Sequence, residues 1–468
     1  MSTTKRLPRR RHLLAVAVLL AVLAGACSNS GSDTSSGGSS GGSSGGSSGS
    51  TPGTTADVDT SEHVAIEGVP GVTDDAINYS VLSTATNNPL GTCVMDCYVD
   101  GIEAYFNWRN SEGGIWGRDL VLSTKVDDEF SKNQEHALEI ASADDTFATF
   151  SATNLPSGWE TLTEAGFPLY VWTINPVDMN GVESIWGNRE VICANCIRRQ
   201  NAYIAQLAGA TKVATLGYGI SSVSKECAQA NAATIEEYSD DIGGAQVVYK
   251  NDELAFGLPN GAGPEVTAMK DAGVELVLAC MDLNGLKTLA QEFERQGMDD
   301  VTLFHSNSYD NGFVEAAGDV FEGDYVQAAA RPFEADPEGS NMTAFLTQME
   351  KDGSVVTEMA MVGWINASLA YDGLKAAGPN FDRQKVIEAT NTFTEYTATG
   401  LTQPINWQTQ HIMPTPEDPT TPPSKWDCIS LVQIKSNKFV VVGDPAKPWA
   451  CWPGDTTEWS EPVMMDFE

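Results

Sequence analysis

The side chains with most chemistry to offer are few and scattered. Nine cysteines and five histidines occur in 468 residues. His63, His136, His305 and His411, the four histidines beyond position 26, are far apart, and no G-x-S-x-G elbow, H-E-x-x-H helix or Walker loop is present. Enzymatic chemistry therefore has no local signature, and no cofactor is expected. Cys193-Ala194-Asn195-Cys196 precedes a helical stretch, where a helix N-terminus would lower a thiol pKa and support redox exchange. No second C-x-x-C completes a zinc ribbon, so no metal site is expected, and a plain disulfide is the other reading of the pair. Setting Cys27 aside leaves eight cysteines, an even number that suits an oxidising compartment but allows roughly a hundred pairings. The favoured set is Cys93 with Cys97, Cys193 with Cys196, Cys227 with Cys280, and Cys428 with Cys451. The third pair has a positional reason: Cys280 ends an apolar strand and Cys227 lies just beyond another, at one edge of one sheet.

Charge excludes one large class of partner. Lys and Arg total 27 against 63 Asp and Glu, a net charge of −36. Five of the basic residues (Lys5, Arg6, Arg9, Arg10, Arg11) lie in the first eleven positions; without them 22 remain against 63, a net charge of −41. Such a surface repels phosphate backbones, so nucleic acid is not a partner.

The N-terminus reads as an address. A basic stretch, an apolar run over residues 13–26 and then Cys27 are too short to span a bilayer and suit a signal peptide over residues 1–26. Leu23-Ala24-Gly25-Ala26-Cys27 is similar to a bacterial lipobox, which implies a lipid on Cys27 and anchoring to the outer face of the cell membrane. Arg10-Arg11 leaves Sec and twin-arginine export both open. Residues 27–62 are mostly Ser, Gly and Thr, a flexible tether with a root-mean-square reach of roughly 30 Å.

The remaining chain alternates strands and helices. Strands are expected at 76–82, 120–126, 146–150 and 168–173, with helices at 99–111, 132–143 and 158–165 between them. The pattern restarts with helices at 202–208, 224–238, 263–272 and 286–296 and strands at 212–216, 245–249, 276–279 and 301–304. Two such runs mean two α/β lobes with parallel sheets. A long helical stretch over 342–377, a helix at 383–392 and a β-hairpin of 429–435 with 439–442 follow.

Three motifs in order carry a family resemblance. They are Gly101-Ile102-Glu103-Ala104 through Asn107, Gly113-Gly114-Ile115-Trp116-Gly117-Arg118, and Val126-Asp127-Asp128; Ala165-Gly166-Phe167-Pro168 and residues 367–373 (ASLAYDG) extend them. Over residues 75–443 the chain resembles type I periplasmic binding proteins, most nearly the branched-chain amino acid and amide binders. The resemblance implies two Rossmann-like lobes joined by a three-crossover hinge, with solute held at the strand ends between them. The lobes are expected at 75–198 with a return at 329–412, and at 199–328, with a C-terminal hairpin and tail, 413–468, on the second lobe.

The same resemblance nominates site residues. The loop with Thr153 and Asn154, before the helix start at 156–158, would hold a solute carboxylate; local capping is the other reading. Trp172 and Thr173 end the next strand, where Trp172 would stack on solute or belong to the core. Tyr218, Asp282, Asn307 and Tyr309 follow strands of the second lobe. Asp282 would meet a ligand ammonium or be a solvated turn carboxylate, and Asn307 stands about where amino acid binders often have Glu. The implied protein is a monomeric, non-enzymatic lipoprotein that passes a small polar solute to an ABC transporter permease; a sensory module signalling to a membrane partner and an extracytoplasmic enzyme on the same scaffold are the rivals.

Overall fold

The structure, a computed structural model, describes residues 59–88, 92–172, 179–191, 193, 195–421 and 424–468. The leader, Cys27, most of the tether and Thr173 lie outside the described residues.

Apolar strand sequences assemble into two sheets. In the first, β1 (Ala76–Ser83), β2 (Asp119–Asp127), β3 (Ala148–Ala152), β4 (Leu169–Val171) and β5 (Ile185–Gly187) are parallel, in the order β2-β1-β3-β4-β5. Parallel neighbours need crossover connections, and α1 (Met95–Ser111), α2 (Asn133–Ala143) and α3 (Trp159–Glu164) supply three of them. The second sheet begins with β6 (Lys212–Tyr218), β7 (Gln246–Leu254), β8 (Leu276–Cys280), β9 (Thr302–His305) and β10 (Tyr325–Ala328), parallel in the order β7-β6-β8-β9-β10. Its helices are α4 (Arg199–Ala208), α5 (Ser222–Glu237), α6 (Gly263–Ala272), α7 (Leu283–Gln296) and α8 (Asn311–Ala317).

The chain then returns to the first half. Helices α9 (Met342–Asp352), α10 (Glu358–Ala377) and α11 (Arg383–Thr390) share one apolar core with β1–β5. A last crossing leads to β11 (Trp426–Lys435), antiparallel to β10, with β12 (Lys438–Val441) as its hairpin partner and β13 (Trp449–Pro453) and β14 (Val463–Met465) extending the edge. Three crossings therefore join two halves, one sheet parallel and the other mixed.

Two helices pack unusually close because glycines permit it. Fourteen of the twenty residues of α10 are buried, and it lies along α1. A Cβ on Gly101 would stand 1.8 Å from the Ala360 carbonyl oxygen, and one on Gly363 2.2 Å from that of Tyr98. This contact sets the N-terminal ends of both helices side by side.

The glycine-rich turn and the acidic pair turn out to build loops. Ile115 and Arg118 exchange backbone hydrogen bonds, with Gly114, Trp116 and Gly117 all at positive φ. Buried Arg118 donates to the Thr73, Trp116 and Val64 carbonyls and so fastens the incoming chain. Asp127 accepts from the amides of Ala85, Thr86 and Glu129, which holds its carboxyl below the usual range despite partial burial. Asp128 accepts from the Phe130 amide and from Nδ2 of Asn133.

The expected elements are present, with α1 starting four residues earlier than expected and β7 ending five residues later, and with the following further differences. The stretch 342–377 is two helices, because Gly353 at φ +73° closes α9 and the Thr357 hydroxyl caps α10 by accepting from the Ala360 amide at 3.1 Å. The strand expected at 146–150 is β3, two residues later, since Thr146 lies in the turn before it. Strands β5, β10, β13 and β14 and the short α8 were not expected, each being a run too brief to show a period. All four favoured disulfides form, Cys93–Cys97, Cys193–Cys196, Cys227–Cys280 and Cys428–Cys451. The Ser436-Asn437 turn of the β11–β12 hairpin has φ of 53° and 61°, the left-handed pair that such tight turns require.

Candidate functional site

Parallel strands deliver their carboxyl ends to one edge, and in open α/β sheets that edge holds the ligand. Here both sheets contribute to one cleft. From the first half come Thr92 and Cys93 ahead of α1, Trp172 after β4, and Thr357, Glu358 and Met359 at the start of α10. From the second come Asp282 and Leu283 after β8, and Asn307, Tyr309 and Asp310 after β9. Four nominated residues, Trp172, Asp282, Asn307 and Tyr309, thus line one cleft.

Three carboxylates dominate its polar surface, and each sits at a helix N-terminus. Asp282 caps α7, its Oδ1 accepting from the amides of Asn284 and Gly285 at 3.0 and 3.2 Å. Asp310 caps α8 by accepting from the Phe313 amide at 2.7 Å. Glu358 opens α10 and accepts from the Ala329 amide at 2.7 Å, bridging to the end of β10. Orphan amides and the helix dipole both favour negative charge at such positions. Among the described residues that line it there is no Lys or Arg. Burial pushes the Glu358 carboxyl up to about 7, against the Ala329 amide and the positive charge of Arg189.

Tyr218 stands behind this surface. Its hydroxyl donates to Oδ2 of Asp282, and burial followed by that carboxylate pushes the phenol well above its ordinary range, so it stays a donor. Gly285 makes the contact possible, because a Cβ there would stand 2.0 Å from the Tyr218 oxygen. Asp282 is only 6% exposed, a buried cap rather than a solvated turn carboxylate. Tyr309 stacks on Phe333 at 5.1 Å, donates to Glu334 Oε2 and accepts from the Phe333 amide, so its ring forms a wall and its hydroxyl is engaged elsewhere. Asn307 is exposed at the rim and Trp172 is half-buried.

Thr153 and Asn154 are half-buried and are not among the cleft-lining residues. Asn154 binds the loop after β1, its amide donating to Thr84 Oγ1 and its Nδ2 to Asn88 Oδ1. The amides of Ser157 and Gly158 at the start of α3 both donate to Asn133 Oδ1, at 3.0 and 2.7 Å, so a buried side chain takes the place expected for a ligand carboxylate. Thr173 and Cys27 lie outside the described residues.

Sequence reasoning did not nominate Thr92, Cys93, Leu283, Asp310, Thr357, Glu358 or Met359. A signal for Glu358 exists in Gly353 followed by Thr357, a helix stop and then an N-cap. Asp310 likewise carries the residue type of a cap. Among the described residues, no cluster of three or more His, Cys, Asp or Glu could hold a metal ion, and no helix is long and apolar enough to cross a membrane.

Comparison with known proteins places this architecture. The family model for periplasmic binding proteins matches residues 89–437. No curated protein matches the chain. Among solved structures, a branched chain amino acid ABC transporter protein from Thermus thermophilus with bound valine has a TM-score of 0.62 at 14% identity, over 84% of this chain and 97% of that one. A fatty acid ABC transporter substrate-binding protein from Thermomonospora curvata gives 0.60 at 14% identity, over 85% and 95%. An ABC transporter solute-binding protein from R. palustris in complex with 4-hydroxybenzoate gives 0.58 at 17% identity, over 78% and 95%. At such identities the likeness speaks for the fold, and it is the family match over most of the length that assigns membership. The chain belongs to the periplasmic binding protein family and has the type I fold.

Proposed function

We propose that the protein is an extracytoplasmic solute-binding lipoprotein that captures a small polar solute bearing N–H donors, an amino acid or amide-like compound, and delivers it unaltered to an ABC transporter permease. The observation that carries this reading is a cleft walled by both halves, with Asp282, Asp310 and Glu358 facing it and no basic residue among the described residues that line it. Asp282 already accepts three hydrogen bonds. Among the described residues, Glu358 and Asp310 are each engaged through one oxygen only, Oε1 and Oδ1, which leaves acceptor capacity for ammonium or amide groups. The related proteins are associated with valine, 4-hydroxybenzoate and fatty acid, so on this fold the lining must choose the solute.

The leader, Cys27 and the Ser/Gly-rich tether support anchoring near a membrane partner, with the body working as a monomer. Calorimetric titration of the purified protein with a panel of amino acids, amides and aromatic acids tests the solute class. Saturable binding of an N–H-rich solute, weakened at least tenfold by Glu358→Gln, is expected; preference for an acid lacking such donors would refute it. Mass spectrometry of the membrane fraction should find a diacylglycerol adduct on Cys27, and an unmodified N-terminus would remove the anchor.

A further inference from the structure

The three crossings converge on a second cavity. About 50 Å³ in volume, it is lined by Arg189, Glu190 and Val191 from the first crossing, the end of β10, and Thr402 and Gln403 from the third crossing. Strands β11 and β13 complete it through Ser430 and Trp449. Thr402 and Trp449 are only 1% and 3% exposed. Thr402 Oγ1, Trp449 Nε1, Arg189 Nε and Gln403 Oε1 are all buried without a hydrogen-bond partner among the described residues. Four such groups around one space are unusual, because buried polar atoms are nearly always paired.

Their chemistry has one sign. Indole and guanidinium nitrogens can only donate, a hydroxyl can donate, and the Gln403 carboxamide can turn its NH₂ inward. Ser430 is otherwise engaged, donating to the Pro448 carbonyl. Arg198, which also lines the space, donates to Asp427. Glu190 accepts from Ser424, and burial pushes its carboxyl up to about 8, so near neutral pH it adds little negative charge. Arg189 is pulled down by burial to about 10 and remains a cation.

We propose that this hinge cavity is a binding site for one small monovalent anion of halide size, held by the N–H groups of Arg189 and Trp449 and the hydroxyl of Thr402. A cavity needs about 10–15 Å³ of such space to hold one water, so a space of about 50 Å³ admits an ion of that order. Glu358 lies within electrostatic reach of Arg189, and the Arg189 Nε–H still faces this space beside the indole N–H and the hydroxyl, a set of donors that the lone pairs of one anion satisfy together. An anion there ties the first crossing to the third and to β13, which couples its occupancy to the hinge.

Thermal melting of the full chain in bromide and in gluconate at equal ionic strength tests this independently of the solute cleft. A saturable rise in melting temperature with bromide is expected, with the midpoint concentration raised at least tenfold in Trp449→Phe and the response abolished in Arg189→Gln. Crystals grown in bromide should show an anomalous peak in the cavity. Should Arg189→Gln fail to fold, Trp449→Phe, which deletes one N–H, still decides. Equal melting in both salts, or no peak beside Arg189, would overturn the proposal and leave the cavity to water.

Discussion

Glu358 concentrates the electrostatics of the cleft in one side chain. Burial raises its carboxyl from 4.5 to about 7, so between those values the native protein holds a proton that the unfolded chain has released. Stability from this group therefore falls as pH rises through that window. Glutamine keeps an acceptor for the Ala329 amide and removes the ionisation. The melting temperature of Glu358→Gln minus that of the wild type should grow from about pH 4.5 to 7 and then level off; a flat difference would contradict the assignment. A cationic solute gains from the ionised form, so its affinity should decline as pH drops below about 7 in the wild type and much less in the variant. Asp282 is a different case, because its buried oxygens already hold α7 and Tyr218. Asp282→Ala should cost about 2 kcal/mol in urea unfolding, from a lost cap and a stranded phenol, while Asp282→Asn keeps the Oδ1 cap and should lose less.

At the scale of elements, the α1–α10 contact is what brings Thr92, Cys93 and Glu358 to the same end of the molecule. Gly101→Ala would force the two backbones apart, and a loss of at least about 2 kcal/mol is expected in denaturant unfolding, as for other overpacked cores. Alanine at exposed Gly353 tests a separate point, the need for positive φ where α9 ends. The disulfides should rank by the loop each closes: chain entropy gives about 4 kcal/mol for Cys227–Cys280, 53 residues apart, against about 2 kcal/mol for Cys193–Cys196. Double Cys→Ala variants unfolded in urea should show that order. The strand–helix alternation was legible because β1, β2, β6 and β8 are apolar runs bounded by turn residues, and Cys227–Cys280 followed from where β8 ends. Trp172, Asp282 and Asn307 were legible for the same reason, as residues that follow strand ends. Glu358 was not, since reading 342–377 as one helix placed it in mid-helix. Cys93 was read for its disulfide alone, and the capping of α3 by Asn133, twenty-five residues away from Gly158, is a tertiary event without a local trace.

For the molecule as a whole, two halves joined by three crossings can close on a solute only if each half offers it a wall. Trp172 and Glu358 from one side and Asn307 and Asp310 from the other meet that condition. Small-angle scattering should report a more compact particle when solute is added, since hinge closure brings the halves together. The most direct measurement is a crystal structure of the protein with the solute it binds tightest in titration. The account predicts one molecule in the cleft, its N–H groups within hydrogen-bond distance of Glu358 or Asp310 and its body against Trp172. Density confined to one half, or seated away from these residues, would contradict it.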